Sequence, residues 1–230
     1  MDPADRTIPV ALSARHVHLS RAHVEELFGS GHQLTPLNDL SQPGQFAAQE
    51  CVEVVGPRRS IPGVRVLGPP RGSTQVELSV TDGFVLGVNV PVRVSGDLAG
   101  TPGVHLIGPR GAVKLKSGCI SAVRHIHMTP PDAKSYGLQD GQRVYVRFEG
   151  PRSLIFDEVV VRVSDQFKTE LHIDTDEGNA AGIRAGDRAV IVASLCRDLC
   201  GQSDCPIAPT TLDGQSRPYC DFTSGGLKIQ

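Results

Sequence analysis

The chain has 230 residues, 39% of them hydrophobic and 21% charged, with 25 Gly, 17 Pro and a net charge of −2. That length allows one generous domain or two small ones, and that balance excludes wholesale disorder while calling for many short elements joined by tight turns. A near-zero net charge gives no field to gather nucleic acid or an anionic membrane, and no apolar run approaches the roughly 20 residues of a membrane span.

The opening, MDPADRTIPV, has no charged stretch followed by an apolar one, so no secretory signal is expected and the chain is placed in the cytosol. From residue 8 to 193 the apolar signal has period two, in IPVAL, CVEVV, VRVL, VELSV, VHLI, AVKL, RVYVRF, EVVVRV, TELHID and RAVIVA. These segments predict a mainly β protein. Four turns share Gly-Pro and Arg, at 56–58, 68–71, 108–110 and 150–152, and are expected as hairpin or corner turns between extended runs. Strands this short and this closely spaced point to two small β-barrels rather than one wide sheet.

Two short helices are predicted. After Ser20, the residues Val24, Leu27 and Phe28 follow helical spacing until Gly29 and Gly31. After Thr129, Pro130 suits a first helical position, Asp132 stands where a capping box needs it, and Gly137 ends the run. In the tail, Cys196, Cys200, Cys205 and Cys220 match no standard metal spacing, and residues 198–230 lack hydrophobic periodicity, so free thiols are expected there over a structural zinc or iron–sulfur cluster. With only Cys51 and Cys119 before the tail there is no disulfide framework, which fits a reducing compartment.

Both helices are entered through the same sequence, Arg15-His16-Val17-His18-Leu19-Ser20 and Arg124-His125-Ile126-His127-Met128-Thr129. Composition accounts for only about 0.3 His-x-His pairs in such a chain, so two with matched neighbours mark an internal repeat. On a strand, residues i and i+2 share a face. His16 and His18 therefore project together opposite Val17 and Leu19, and His125 with His127 opposite Ile126 and Met128. Two imidazoles per strand suit a metal, and a catalytic zinc takes three protein ligands, so each pair wants a third. His172, between Leu171 and Ile173, and Glu77, between Val76 and Leu78, alternate in the right sense. Partner assignment stays open at this level. His23, His32 and His105 have no such pattern.

Arg71, in Gly68-Pro69-Pro70-Arg71-Gly72-Ser73-Thr74, is a candidate oxyanion contact, with weaker claims for Arg58 and Arg65. Residues 41–46, SQPGQF, are expected as a plain loop. No Walker, dinucleotide or Gly-x-Ser-x-Gly motif is present.

The segments RHVHLS at 15, LTPLNDLSQPGQFAAQE at 34, TQVE at 74, SGDLAGTPG at 95, RHIHM at 124 and HIDTDEGNAAG at 172 resemble the PduL-type phosphate propanoyltransferases, the phosphotransacylases of bacterial microcompartments. The resemblance covers about residues 8–193. It implies two β-barrels capped by short helices with the active site between them, here 1–14 with 123–193 as one barrel, 15–122 as the other, and 194–230 as a tail. It implies two divalent metal ions, zinc by preference, one on His16, His18 and Glu77 and one on His125, His127 and His172. It further implies Arg71 as the phosphate-binding catalytic residue, and coenzyme A contacts from Ala11, Leu12, Ser13, Arg58, Arg65 and Asn179.

The expected reaction is reversible: acyl-CoA, propanoyl or acetyl, plus phosphate gives acyl phosphate plus CoA, by direct phosphate attack at the two-zinc site. Homodimer formation, microcompartment shell and lumen partners, a role in propanediol degradation and a place in the microcompartment lumen follow from the resemblance alone. Such proteins often carry an N-terminal extension that directs them into the shell; with roughly seven residues before the first strand here, the expectation is that either this chain is trimmed or it is targeted otherwise. A dinuclear metal hydrolase on the same six ligands is the alternative, and a non-enzymatic zinc-binding module a third.

Overall fold

The computed structural model describes residues 7–192. Strand β1 (Thr7–Ser13) is followed by β2 (His16–Ser20), which runs directly into helix α1 (Arg21–Phe28). Strands β3 (Pro36–Asp39), β4 (Phe46–Val55) and β5 (Ser60–Arg71) lead to β6 (Gln75–Glu77) and α2 (Val80–Leu86). Short strands β7 (Val92–Arg93), β8 (His105–Ile107), β9 (Ala112–Lys114) and β10 (Cys119–Ala122) precede β11 (His125–Met128) and α3 (Pro130–Tyr136). Then come β12 (Arg143–Phe148), β13 (Leu154–Val163), β14 (Glu170–Asp174), α4 (Thr175–Ala181) and β15 (Arg188–Val192).

Six strands close into a barrel in the order β1-β14-β11-β13-β12-β15. The other nine form a sheet in the order β7-β10-β6-β2-β5-β4-β8-β9, with β3 on β4. The protein is mainly β, as the period-two pattern requires. The sheet stays open because its end strands, β7 and β9, are two and three residues long and do not pair with each other.

Each assembly has its own core. Val17 and Leu19 of β2 are fully buried in the sheet, and Ile126 and Met128 of β11, with Leu171 of β14, are fully buried in the barrel. Burying such a side chain is worth about 1.5 to 3 kcal/mol, so slipping β2 or β11 by one residue would forfeit two of them. That energy, not the imidazoles, decides which face the His pairs occupy.

Among the described residues four helices form, not two. VELSV does not continue as a strand: β6 ends at Glu77, Ser79 caps α2, and Ser79 and Asp82 close a reciprocal capping box. Asp174 and Glu177 do the same for α4. At seven residues each, α2 and α4 are too short to show a helical hydrophobic period, so only the caps betray them. α1 and α3 lie where Ser20 and Thr129 place them. Every strand that carries a candidate ligand, β2, β6, β11 and β14, thus runs into a capped helix.

Three of the four Gly-Pro turns are hairpins, between β4 and β5, β8 and β9, and β12 and β13. The fourth, at 68–71, lies inside β5. Gly68 faces Phe46 across the β4–β5 pair, where a Cβ would lie 2.2 Å from the ring, so its glycine serves close approach rather than a turn. The hairpin turns also finish helices. Arg58 N donates to Leu86 O at the end of α2 (2.9 Å), Arg110 N to Leu27 O in α1 (3.0 Å), and Arg152 Nε to Ala180 O in α4 (3.0 Å).

Candidate metal centre

The register brings the third partner to each pair. β2 and β6 run antiparallel with His16 opposite Glu77, and β11 and β14 run antiparallel with His125 opposite His172. Residues opposed in this way share a face. His16 Nε2 lies 3.4 Å from Glu77 Oε2, and His18 Nε2 lies 3.6 Å from Glu77 Oε1. In each trio, His16–His18–Glu77 and His125–His127–His172, the donor atoms lie within 4.8 Å of one another. The two trios flank one cleft, lined by His16 and Glu77 from the sheet and by Ser13, His125, His172 and Asp174 from the barrel.

Charge in the site follows burial. Burial, reinforced by the charges of His16 and Arg71, pushes His18 down to about 3. Burial and then His172 push His125 down to about 4, and burial with His125 and His172 pushes His127 down to about 2. Burial would also lower His16, but the charge and hydrogen bond of Glu77 outweigh it and His16 is raised. Glu77, which burial alone would raise, is held far below the usual carboxylate range by His16, then His18 and Arg71. Three imidazoles are thus neutral near pH 7 with lone pairs to offer, beside one ionised carboxylate.

These donors fit a divalent metal. His16 Nδ1 donates to Ala14 O and His125 Nδ1 to Val123 O, both at 2.8 Å, which leaves Nε2 as the ring nitrogen of each that is available to a metal. His127 Nδ1 is buried with no hydrogen-bond partner among the described residues, a costly state for a ring nitrogen unless something binds there. A tetrahedral zinc, with bonds of about 2.0 to 2.2 Å, needs ligand atoms roughly 3.3 to 3.6 Å apart. The two His–Glu77 separations, 3.4 Å to Oε2 and 3.6 Å to Oε1, are of that size, each to a different carboxylate oxygen.

Polar residues around the trios hold them. Glu77 Oε1 accepts from Gln75 Nε2 and from Ser95 Oγ (3.2 Å), and Gln75 Oε1 accepts from Gly96 N (2.8 Å). Arg71 Nη1 reaches the same Ser95 hydroxyl at 3.5 Å. Burial lowers Arg71, which Glu77 opposes and Arg162 reinforces. In the other trio, the ring of His127 stacks on Phe167 at 4.1 Å, and His172 Nε2 lies 3.2 Å from Glu170 Oε2. Arg162 neighbours His127 across β11 and β13, and its guanidinium sits 5.6 Å over Phe167.

The remaining sequence candidates scatter more widely. Ala11, Leu12 and Ser13 lie on β1 beside His172, Ile173 and Asp174, with Ser13 at the cleft and Leu12 packed on the barrel core. Arg65, opposite His16 on β5, donates to the carbonyls of Ala48 and Gln49. Arg58 stacks over Phe84 at 5.2 Å, and Asn179 is exposed on α4. His23 bonds Thr74, His32 bonds Glu50, and His105 is exposed, none of them in a trio. Cys196, Cys200, Cys205 and Cys220 lie outside the described residues.

Sequence reasoning overlooked Gln75, Ser95 and Arg162. Gln75 stands two residues from Glu77 on the same strand face, a signal that was available, and Ser95 opens the SGDLAGTPG segment; Arg162 lies beside His127 only through the register of β11 and β13. The expectation of a plain loop at 41–46 is also corrected, because Gln42 is buried and bonded to the barrel. The loop joins the paired strands β3 and β4 and reaches the barrel at Lys168.

A family model described as phosphate propanoyltransferase matches residues 9–184. Among the relatives, the chain is 56% identical over 186 residues to the phosphate propanoyltransferase of Thermotoga maritima, covering 80% of this chain and 89% of that one. It is 51% identical over 185 residues to that of Listeria monocytogenes (80% and 87% covered) and 52% identical over 186 residues to that of Enterococcus faecalis (81% and 88% covered).

Proposed function

Because the chain belongs to the phosphate propanoyltransferase family, we propose that it moves a propanoyl or acetyl group between CoA and inorganic phosphate at a site built around two divalent metal ions. The observation that carries this reading is the facing pair of three-donor trios on one cleft, with Arg71 beside the Glu77 trio. His16, His18 and Glu77 would hold one ion, and His125, His127 and His172 the other. Zinc suits both donor sets, and when bound it supplies Lewis-acid charge for the thioester carbonyl and the leaving sulfur.

The chain's own residues do the rest. Arg71, anchored near Ser95, and Arg162, over Phe167, bring positive charge to the cleft from the sheet and from the barrel, where a phosphate dianion must sit. A phosphate oxygen forms the new bond to the acyl carbon, the carbon–sulfur bond breaks with its electron pair on sulfur, and the phosphate's proton ends on the thiol. No protein nucleophile is needed, and holding both reactants in one cleft replaces a bimolecular encounter with an oriented one. The end of β1, with Ala11, Leu12 and Ser13, is the proposed path of CoA toward the cleft, with Arg58, Arg65 and Asn179 as outer contacts.

Division of the chain into 1–14 with 123–193, 15–122 and a tail from 194 belongs to the same proposal and is supported by strand membership. So do a homodimer and a place in a microcompartment lumen, which rest on the resemblance and are checked by light scattering and by co-purification with shells. Among the described residues no helix is long and apolar enough to cross a membrane.

The test is thiol release from propanoyl-CoA and acetyl-CoA with and without phosphate, on protein whose metal content is measured in the same preparation. Phosphate-dependent release supports the transferase, and the ratio of the two rates names the acyl group. Release without phosphate would mean a hydrolase, and none at all a binding module.

A further inference from the structure

A turn of the open sheet crosses to the barrel and grips the strand that carries His172. Gln42, in the connection between β3 and β4, is only 4% exposed. Its carboxamide bonds both backbone groups of Lys168: Nε2 donates to the carbonyl at 3.0 Å and Oε1 accepts from the N–H at 3.1 Å. Next to it, Ser41 Oγ donates to Glu170 Oε2, the oxygen that lies 3.2 Å from His172 Nε2. Between these anchors, Thr169 Oγ1 donates to Asp132 Oδ2 in the first turn of α3. Residues 168, 169 and 170 are therefore tied down one after another, from two separate parts of the fold, just before the ligand at 172. A side-chain amide is buried at a cost of a few kcal/mol unless it is fully bonded, and Gln42 meets that cost on a single residue's backbone.

We infer that Gln42 and Glu170 are positioning residues for His172, Gln42 fixing the path of the strand and Glu170 the orientation of the ring, so that the three-His trio is completed by the docked sheet. The inference rests on the metal reading given above. Gln42 Nε2 also lies 3.4 Å from both Glu170 Oε2 and His172 Nε2, so the amide and the carboxylate together enclose that ring nitrogen. A carboxylate bonded to a ligating imidazole orients the ring and raises its basicity, and removing such a partner lowers metal affinity by about 10 to 100-fold. The other trio has no link to residues 41–42 among the described bonds, so the two sites should respond differently.

The experiment is zinc titration against a chromophoric chelator on wild type, Gln42→Ala and Glu170→Gln, with melting curves of the metal-free proteins. Expected is a loss of about tenfold or more in affinity at one site per chain, the other unchanged, with a lower kcat and an unchanged KM for acyl-CoA. Two sites of wild-type affinity in both variants would overturn the inference, and so would equal weakening of both sites, which reports general loosening. If Gln42→Ala fails to fold, Glu170→Gln, which removes a charge and little volume, decides alone. Wild-type protein that binds no zinc would instead refute the metal reading itself, and the two failures are told apart by that first curve.

Discussion

Replacing Gly56 with Ala tests whether the Gly-Pro-Arg hairpins hold the helices behind the ligand strands. A Cβ at residue 56 would lie 2.3 Å from Leu86 O and 2.7 Å from Leu86 Cβ, about an ångström short of ordinary contact, with backbone against backbone and no flexible group to yield. The turn must back away from α2, which adds loss of the 2.9 Å bond from Arg58 N to Leu86 O. Overpacking costs about 1 to 3 kcal/mol and the bond about 0.5 to 1.5, so about 1.5 to 4.5 kcal/mol is expected. For a chain of this size that is a fall in Tm of about 3 to 18 °C. Gly108 stands in the same relation to α1, 2.5 Å from Leu27 O, and Gly108→Ala should cost a similar amount, additive with the first because the two helices are separate. Gly72 meets nothing within 4 Å, so Gly72→Ala is the control and should stay within about 0.5 kcal/mol. Urea and thermal unfolding of the three variants decide it. A Gly56→Ala protein as stable as the Gly72→Ala control would refute the argument.

Metal content should fall from two ions per chain to one in Glu77→Gln and again in His127→Ala, and to none in the double variant, measured by elemental analysis; two ions retained in either single variant would remove that trio from consideration. Arg162→Gln should raise the KM for phosphate about tenfold and leave the KM for acyl-CoA alone, since a charge-assisted contact is lost on one reactant only; equal changes in both would place Arg162 elsewhere. The pH dependence of stability can be read at Glu50. Burial would raise this carboxyl, but hydrogen bonds from His32 and from the Thr35 N–H and hydroxyl outweigh it and hold it below its ordinary 4.5. A depressed folded pKa contributes stability above about pH 4.5 that is lost as the pH falls through the lower, folded value. Glu50→Gln should therefore be less stable than wild type at pH 7, by about 2 kcal/mol, with the gap closing below pH 4.5 in melts across that range.

The sequence carried the ligand trios further than it carried the fold around them. Period two placed His16 and His18 opposite Val17 and Leu19 because burial of the aliphatic side fixes the strand face, and the same logic selected Glu77 and His172. What pattern alone left open was which third ligand joins which pair, since antiparallel register between β2 and β6 or β11 and β14 is a tertiary property. α2 and α4 escaped because seven residues hold too little periodicity, though the Ser79–Asp82 and Asp174–Glu177 boxes stood in the text. Gly68-Pro69 looked like a turn because glycine serves two ends, and only Phe46 on the neighbouring strand shows which. Gln42 looked like loop because its partner, Lys168, is 126 residues away.

The order in which the barrel is strung has a consequence for how the chain is made. β1 belongs to the barrel, yet it pairs with β14 and β15, so Val10 must wait for Leu171 and Thr7 for Val190. The open sheet, by contrast, lies wholly between residues 16 and 122 and has all its strands before the rest of the barrel is synthesised. On a ribosome the sheet can therefore assemble first and act as a folded spacer that keeps β1 close to the place where β11 emerges, shortening a loop that would otherwise be expensive to close. Until β15 arrives, β1 and β12 each keep an unpaired edge, and a chain halted before residue 188 would carry both into solution as templates for aggregation.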